Sequence, residues 1–168
     1  MTDRHDDVKI ALARWASRLG ATYVKPEPRG IDRHSKKRPD LRIEIGGQCF
    51  LIDVTIRHPL APSHVDACAR DEEKILKDAE VDKHRDYDRL AENMHAKFVA
   101  FAVETTGRLG KEASEFIRSF IQEGAKFKNV WAPKEIVHGI YRTVAIAIAR
   151  GNADIIASNL RESRLAVW

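Results

Sequence analysis

Two aspartates are the residues of this chain best placed to do chemistry. Asp40 and Asp53 lie near the two ends of the stretch Arg38-Pro-Asp-Leu-Arg-Ile-Glu-Ile-Gly-Gly-Gln-Cys-Phe-Leu-Ile-Asp-Val-Thr55, which alternates on either side of Gly46-Gly47. A Gly-Gly pair between alternating runs is a hairpin signal. If the glycines form the whole loop, Ile45 pairs with Gln48 and, stepping outward, Asp40 faces Asp53. Strand alternation then sorts the side chains. One face holds Leu41, Ile43, Ile45, Phe50, Ile52 and Val54 and is core; the other holds Asp40, Arg42, Glu44, Cys49, Leu51, Asp53 and Thr55. Directly opposed residues have Cβ atoms about 4.5–5.5 Å apart, where like charges destabilise the pair unless compensated. A hard divalent cation compensates them, since Mg²⁺ is typically held by one or two carboxylates plus waters and substrate phosphate oxygens. The hairpin is therefore a candidate metal platform for phosphodiester chemistry. The alternatives at this point are two strand-end aspartates in solvent, or a bulge that separates them.

Composition narrows the setting. A chain of 168 residues suits one domain, residues 1–168, with a sizeable core. A net charge of +4 favours anionic partners. Cys49 and Cys68 form no CxxC pattern, so neither a disulfide framework nor a zinc site is indicated. The polar start, without a signal-peptide pattern, and the short apolar run at 144–149 predict a soluble, intracellular protein with no membrane association.

The elements that must position the aspartates follow from periodicity. Thr2 or Asp3 can cap a helix to residue 19, with Val8, Leu12, Trp15 and Leu19 inward and Gly20 ending it. A short strand at 21–24 is stopped by Pro26 and Pro28. The basic segment 29–38, just ahead of Asp40, could bring phosphates to a metal. After an exit loop at 56–62, Ser63 can cap a helical region, broken in places, that reaches about residue 94 with thin apolar content and dense charge. A buried strand is expected at 98–105, then a loop at 107–110 and an amphipathic helix ending at Gly124. Pro133 opens another helix, interrupted at Gly151-Asn152 before a short one at 153–160. The order α, β, hairpin, α, β, α, α predicts a mixed sheet flanked by helices.

Hydrolysis at a metal-bound carboxylate pair usually also uses a protein cation. Pro39-Asp40 with Asp53 matches the Pro-Asp, spacer, Asp/Glu-x-Lys pattern of restriction-like nucleases, but Thr55 stands in the lysine slot. In chain order come Arg4-His5, Arg38-Pro39-Asp40, residues 51–55 (Leu-Ile-Asp-Val-Thr), Lys83 four residues before Tyr87, Glu104-Thr-Thr-Gly107 and Arg150-Gly151-Asn152-Ala153. Over residues 4–157 this series resembles the restriction-like endonuclease domain of non-LTR retrotransposon polyproteins. The resemblance implies an α/β fold with a restriction-endonuclease-like core, a central mixed β-sheet of about four strands flanked by helices. It also implies that the catalytic lysine has moved to the following helix. The role then falls on Lys83, with Tyr87 one turn away, Glu80 as a possible orienting group, and Lys74 and Lys77 as rivals.

Carried through, Asp40 and Asp53, with a backbone carbonyl near Val54, would hold Mg²⁺ or Mn²⁺. Arg4, His5, Arg33, Lys36, Lys37, Arg38 and Arg57 would contact DNA, and Glu104 would hydrogen-bond beside the Gly107 turn or assist the site. The implied activity is endonucleolytic nicking of double-stranded or branched DNA to prime reverse transcription. Its partner would be the reverse transcriptase of the same polyprotein, in the nucleus if the source is eukaryotic. Two other readings stand beside it: a Holliday-junction-resolvase-like nuclease, and a non-catalytic nucleic-acid module favoured by Thr55.

Overall fold

The computed structural model describes residues 4–28, 37–128 and 133–165. The expected Thr2 or Asp3 cap, and Arg33 and Lys36 of the basic segment, lie outside the described residues. At the centre is the hairpin of β2 (Leu41–Ile45) and β3 (Gln48–Arg57). Gly46 and Gly47 both take positive φ, 61° and 78°, as a tight primed turn requires and as glycine adopts without a Cβ penalty. Ile45 pairs with Gln48 and Leu41 with Ile52, so the register is the expected one and runs without a bulge. β1 (Tyr23–Pro26) pairs antiparallel with β2, and β4 (Lys97–Glu104) pairs parallel with β3, giving a four-stranded mixed sheet in the order β1-β2-β3-β4.

β1 starts two residues later than the expected 21–24 strand and is not stopped ahead of Pro26, which belongs to it and pairs with Leu41. An edge strand tolerates a proline because its missing N–H can face away from the ladder. The parallel β3–β4 pair requires a crossover, which α2 (Val65–Arg70) and α3 (Lys74–Asn93) supply. The residue that precedes α2 is His64 rather than Ser63, and it makes no side-chain capping bond.

The sheet is buried on both faces. Against one lie α1 (Arg4–Arg18), α4 (Lys111–Lys128) and α5 (Pro133–Leu165), which enclose Leu41, Ile43, Ile45, Phe50, Ile52 and Val54 together with Val99, Phe101 and Val103 of β4. Against the other lies α3, whose Tyr87, Leu90 and Ala91 cover Leu51, Phe98 and Ala100, while Ile75, Leu76 and Ala79 cover Ala102. The second face of the hairpin is thus not an open polar surface: Leu51 is fully buried and Asp53 is only 4% exposed.

Two expected breaks are absent. α4 continues through Gly124 and α5 through Gly151-Asn152. Both glycines are points of close approach. A Cβ at Gly124 would come 3.1 Å from the Leu19 Cβ, and one at Gly151 would overlap the Arg4 side chain, 1.7 Å from its Cγ. Helix breaking by glycine costs only about 1 kcal/mol relative to alanine, which tertiary contact readily overrides.

The outer edge of β4 is covered by its own chain. The Glu104 N–H donates to the Arg108 carbonyl, the Gly110 N–H to the Ala102 carbonyl, and the Ala100 N–H to the Glu112 carboxylate. Glu112 uses its second oxygen to hold His84 of α3 at 2.9 Å, and His84 also contacts Asp88 at 2.6 Å.

Candidate active site

The register carries Asp40, the residue just before β2, to the position across from Asp53. The Asp40 carboxylate meets the main chain of β3, its Oδ2 accepting from the Val54 N–H at 2.7 Å. The same oxygen lies 2.9 Å from His5 Nε2, so the first turn of α1 closes one side of the site. The Asp40 carbonyl in turn accepts from the Glu27 N–H at 2.8 Å. Three elements therefore fix one residue.

Asp53 projects to the α3 side. Lys83 Nζ lies 2.6 Å from its Oδ2. The contact is ionic without a well-directed hydrogen bond, and Oδ2 is a buried oxygen lacking any aligned donor. Burial pushes the Asp53 carboxyl above the ordinary carboxylate range; Lys83 pulls it back, and the neighbouring Asp40 charge pushes it up again. The two acids are close enough for each other's charge to matter.

Lys83 arrives there because it stands on the inward stripe of α3. Ala79, Lys83 and Tyr87 are successive i, i+4 positions, and the residues on either side of Lys83 are buried. The rival lysines are off that stripe. Lys74 pairs with Asp78, and Lys77 pairs with Asp71 and Glu73. Glu80 does not orient Lys83; it accepts from the Glu112 N–H at 3.1 Å and so caps α4. Tyr87 stacks on Phe98 with ring centroids 5.1 Å apart, and its hydroxyl donates to the Arg38 carbonyl at 3.1 Å. Burial, and then the Asp53 charge, hold that phenol protonated far above its ordinary range.

The expected DNA contacts divide. Arg4 donates to Asn152 Oδ1 at 2.7 Å, and Asn152 donates onward to the Thr105 carbonyl. Lys37 pairs with Asp86 at 2.5 Å, Arg38 with Glu27 at 3.0 Å, and Arg57 ends β3 half-buried. Arg33 and Lys36 lie outside the described residues. Glu104 takes the structural role: buried beside the Gly107 turn, it accepts from Thr106 at 2.7 Å and from Arg108 at 2.6 Å.

Sequence reasoning missed two residues. Lys9, buried on α1, bridges Asp6 and Glu27, each at 2.8 Å. Glu27 takes φ of 44°, a conformation rarely adopted by a side-chain-bearing residue, while its carboxylate also holds Arg38. The apolar neighbours of Lys9 on α1 were a legible signal. For Glu27, set between two prolines, there was none.

Among the described residues no group of three or more His, Cys, Asp or Glu side chains converges as a closed metal cage. Mg²⁺ and Mn²⁺ need no such cage, since they keep waters and borrow substrate oxygens beside one or two carboxylates. The fit is supported by Asp53 Oδ2, a buried carboxylate oxygen that meets Lys83 as an ion pair without a directed hydrogen bond. Asp40 adds to it, since only its Oδ2 is engaged by described residues. No protein-family model matches the chain, and no curated protein matches it.

Proposed function

We propose that this chain is a metal-dependent DNA endonuclease of the restriction-like type, using Asp40 and Asp53 to hold Mg²⁺ or Mn²⁺ and Lys83 as the protein cation. The observation that carries the reading is the meeting of Lys83 with Asp53 at 2.6 Å, on the strand position across from Asp40, despite Thr55 in the usual lysine slot. The pair neutralises a buried carboxylate in the resting fold, and the same ammonium is placed to stabilise phosphoryl charge.

When bound, the metal supplies Lewis-acid charge and lowers the pKa of water. The chain's own residues do the rest. Asp40 is pinned by Val54, His5 and the Glu27 main chain, so its free oxygen has a fixed direction. Asp53, whose carboxyl burial pushes above the ordinary range, would hold the ion beside Asp40. Lys83, held between Asp53 and the Tyr87 ring, can turn to an oxygen of the scissile phosphate when Asp53 takes its ion. Tyr87 stays protonated and donates, fixing the chain at Arg38 just before Asp40. In the resembling family such a nick primes reverse transcription; we extend that role, with duplex DNA as substrate, to this chain.

The test is plasmid nicking with Mn²⁺ or Mg²⁺ by the wild type and by Asp53→Ala, Asp40→Ala, Lys83→Ala and Lys77→Ala. We expect nicked circles with 5′-phosphate ends from the wild type and Lys77→Ala only. Equal background from wild type and Asp53→Ala would instead support a binding module on a nuclease fold.

A further inference from the structure

α1 and α5 run antiparallel along the helical face of the molecule. Arg4 meets Gly151 and Asn152 at one end, and Trp15 donates to Thr143 at the other, 3.2 Å away. Between them lies a groove with a cavity of about 260 Å³, whose charged lining is Arg14, Arg18 and Arg150 against the single acid Asp7. Ile10 and Ile146 line it as exposed aliphatic side chains, 39% and 45% accessible. Most cations near the catalytic pair are already neutralised: Lys9, Lys37 and Arg38 each have a carboxylate partner. Among the described residues Arg14 and Arg150 have none, and both are exposed.

We propose that this groove docks the sugar–phosphate backbone of duplex DNA flanking the Asp40–Asp53 site, an inference that rests on the nuclease reading. Charge is the first argument: three guanidiniums against one carboxylate suit phosphates, to which arginine can donate in a bidentate fork. Place is the second. Arg150 adjoins Gly151, against which Arg4 packs, and the next residue of α1, His5, touches Asp40. The groove therefore begins at the end of α1 that reaches the reacting pair and opens on the side of that helix turned away from His5. Arg14 is nine residues along α1 from His5, about 13 Å of helical rise, and Arg18 is one turn further. Surface character is the third: Ile10 and Ile146 between guanidiniums offer apolar contact to deoxyribose, whereas base edges would need polar readers. The docking is accordingly independent of sequence.

The measurement is fluorescence anisotropy of a labelled duplex of about 20 bp in EDTA, so that nothing is cut, across about 50–200 mM salt. Arg14→Glu/Arg150→Glu should raise Kd at least tenfold at about 100 mM salt. It should also flatten the slope of log K against log salt by about 2, since each lost phosphate contact removes about 0.9. Arg118→Glu, a charge reversal on the exposed face of α4, should change Kd less than twofold. Arg14→Gln/Arg150→Gln, with a melting temperature matching the wild type, should flatten the slope in the same direction. Unchanged affinity in the double variants overturns the proposal, as does equal weakening by Arg118→Glu. A change in oligomeric state with unaltered affinity also overturns it, making the groove an interface between copies. If the wild type binds but never nicks, the nuclease reading falls and the groove stands. If nicking needs Asp53 while the double variants bind normally, the groove falls and the nuclease stands.

Discussion

Replacing Lys83 with methionine keeps the aliphatic stem and removes the charge, leaving Asp53 buried without its partner. Breaking a fully buried pair from one side typically costs about 3–5 kcal/mol. Lys83 is 27% exposed and Asp53 can escape by binding a proton, so the cost here should be smaller, about 1–3 kcal/mol. With a urea m-value of about 2 kcal/mol/M, the midpoint falls by about 0.5–1.5 M. The sign with pH is fixed by Asp53, whose carboxyl already titrates above its unfolded value because of burial. A raised acid favours the fold below its unfolded pKa and loses that advantage as pH rises through the folded one. Removing Lys83 raises the folded value further, so the penalty is full at pH 8 and shrinks as the solution is acidified. Asp53→Asn in the same background removes the stranded charge and should recover most of the loss. Asp53→Asn alone, which frees a partly exposed ammonium to turn toward water, should cost less than about 1 kcal/mol. Equilibrium urea unfolding at pH 5 and pH 8 decides it. A Lys83→Met midpoint equal to wild type at pH 8, or a penalty that grows in acid, refutes the account of the pair.

Tyr87→Phe keeps the stack on Phe98 but removes the hydroxyl bond to Arg38; it should cost about 0.5–1.5 kcal/mol in urea unfolding and slow nicking if the chain before Asp40 shifts. Gly151→Ala should displace Arg4 from Asn152 and lower stability by about 1–3 kcal/mol, outweighing its gain in helix propensity, as thermal unfolding would register. For His84, burial lowers the pKa but contacts with Asp88 and Glu112 outweigh it and leave it raised. That support is full below the unfolded pKa of about 6.5 and is lost as pH rises through the folded value. The melting-temperature gap between wild type and His84→Gln should therefore narrow from pH 6 to pH 8.5.

What was legible in the sequence was local. Two adjacent glycines between alternating runs can pair in few ways, so the hairpin register and its core face followed from residues 40–55 alone. Lys83 could have been ranked above Lys74 and Lys77 without any resemblance, because it alone shares a stripe with Ala79 and Tyr87. Glycine punctuation misled at Gly124 and Gly151, where the missing side chain serves contact with Leu19 and Arg4, residues more than a hundred positions away. Nothing local announces such a meeting. The burial of the second hairpin face was hidden for a related reason: α3 is highly charged overall, and only its narrow inward stripe shows that it lies on the sheet. Glu27 joins the site through a tertiary ion pair and a left-handed backbone, which composition does not encode.

The covering of β4 bears on how this protein can associate. With alternate outward main-chain groups of that strand occupied by Arg108, Gly110 and Glu112, no foreign strand can zip onto that side without first peeling off the 105–112 segment. The opposite border is short and finishes at a proline. Sideways polymerisation through backbone ladders is thus blocked at one border and curtailed at the other, leaving helical surfaces as the routes by which copies or partners can come together.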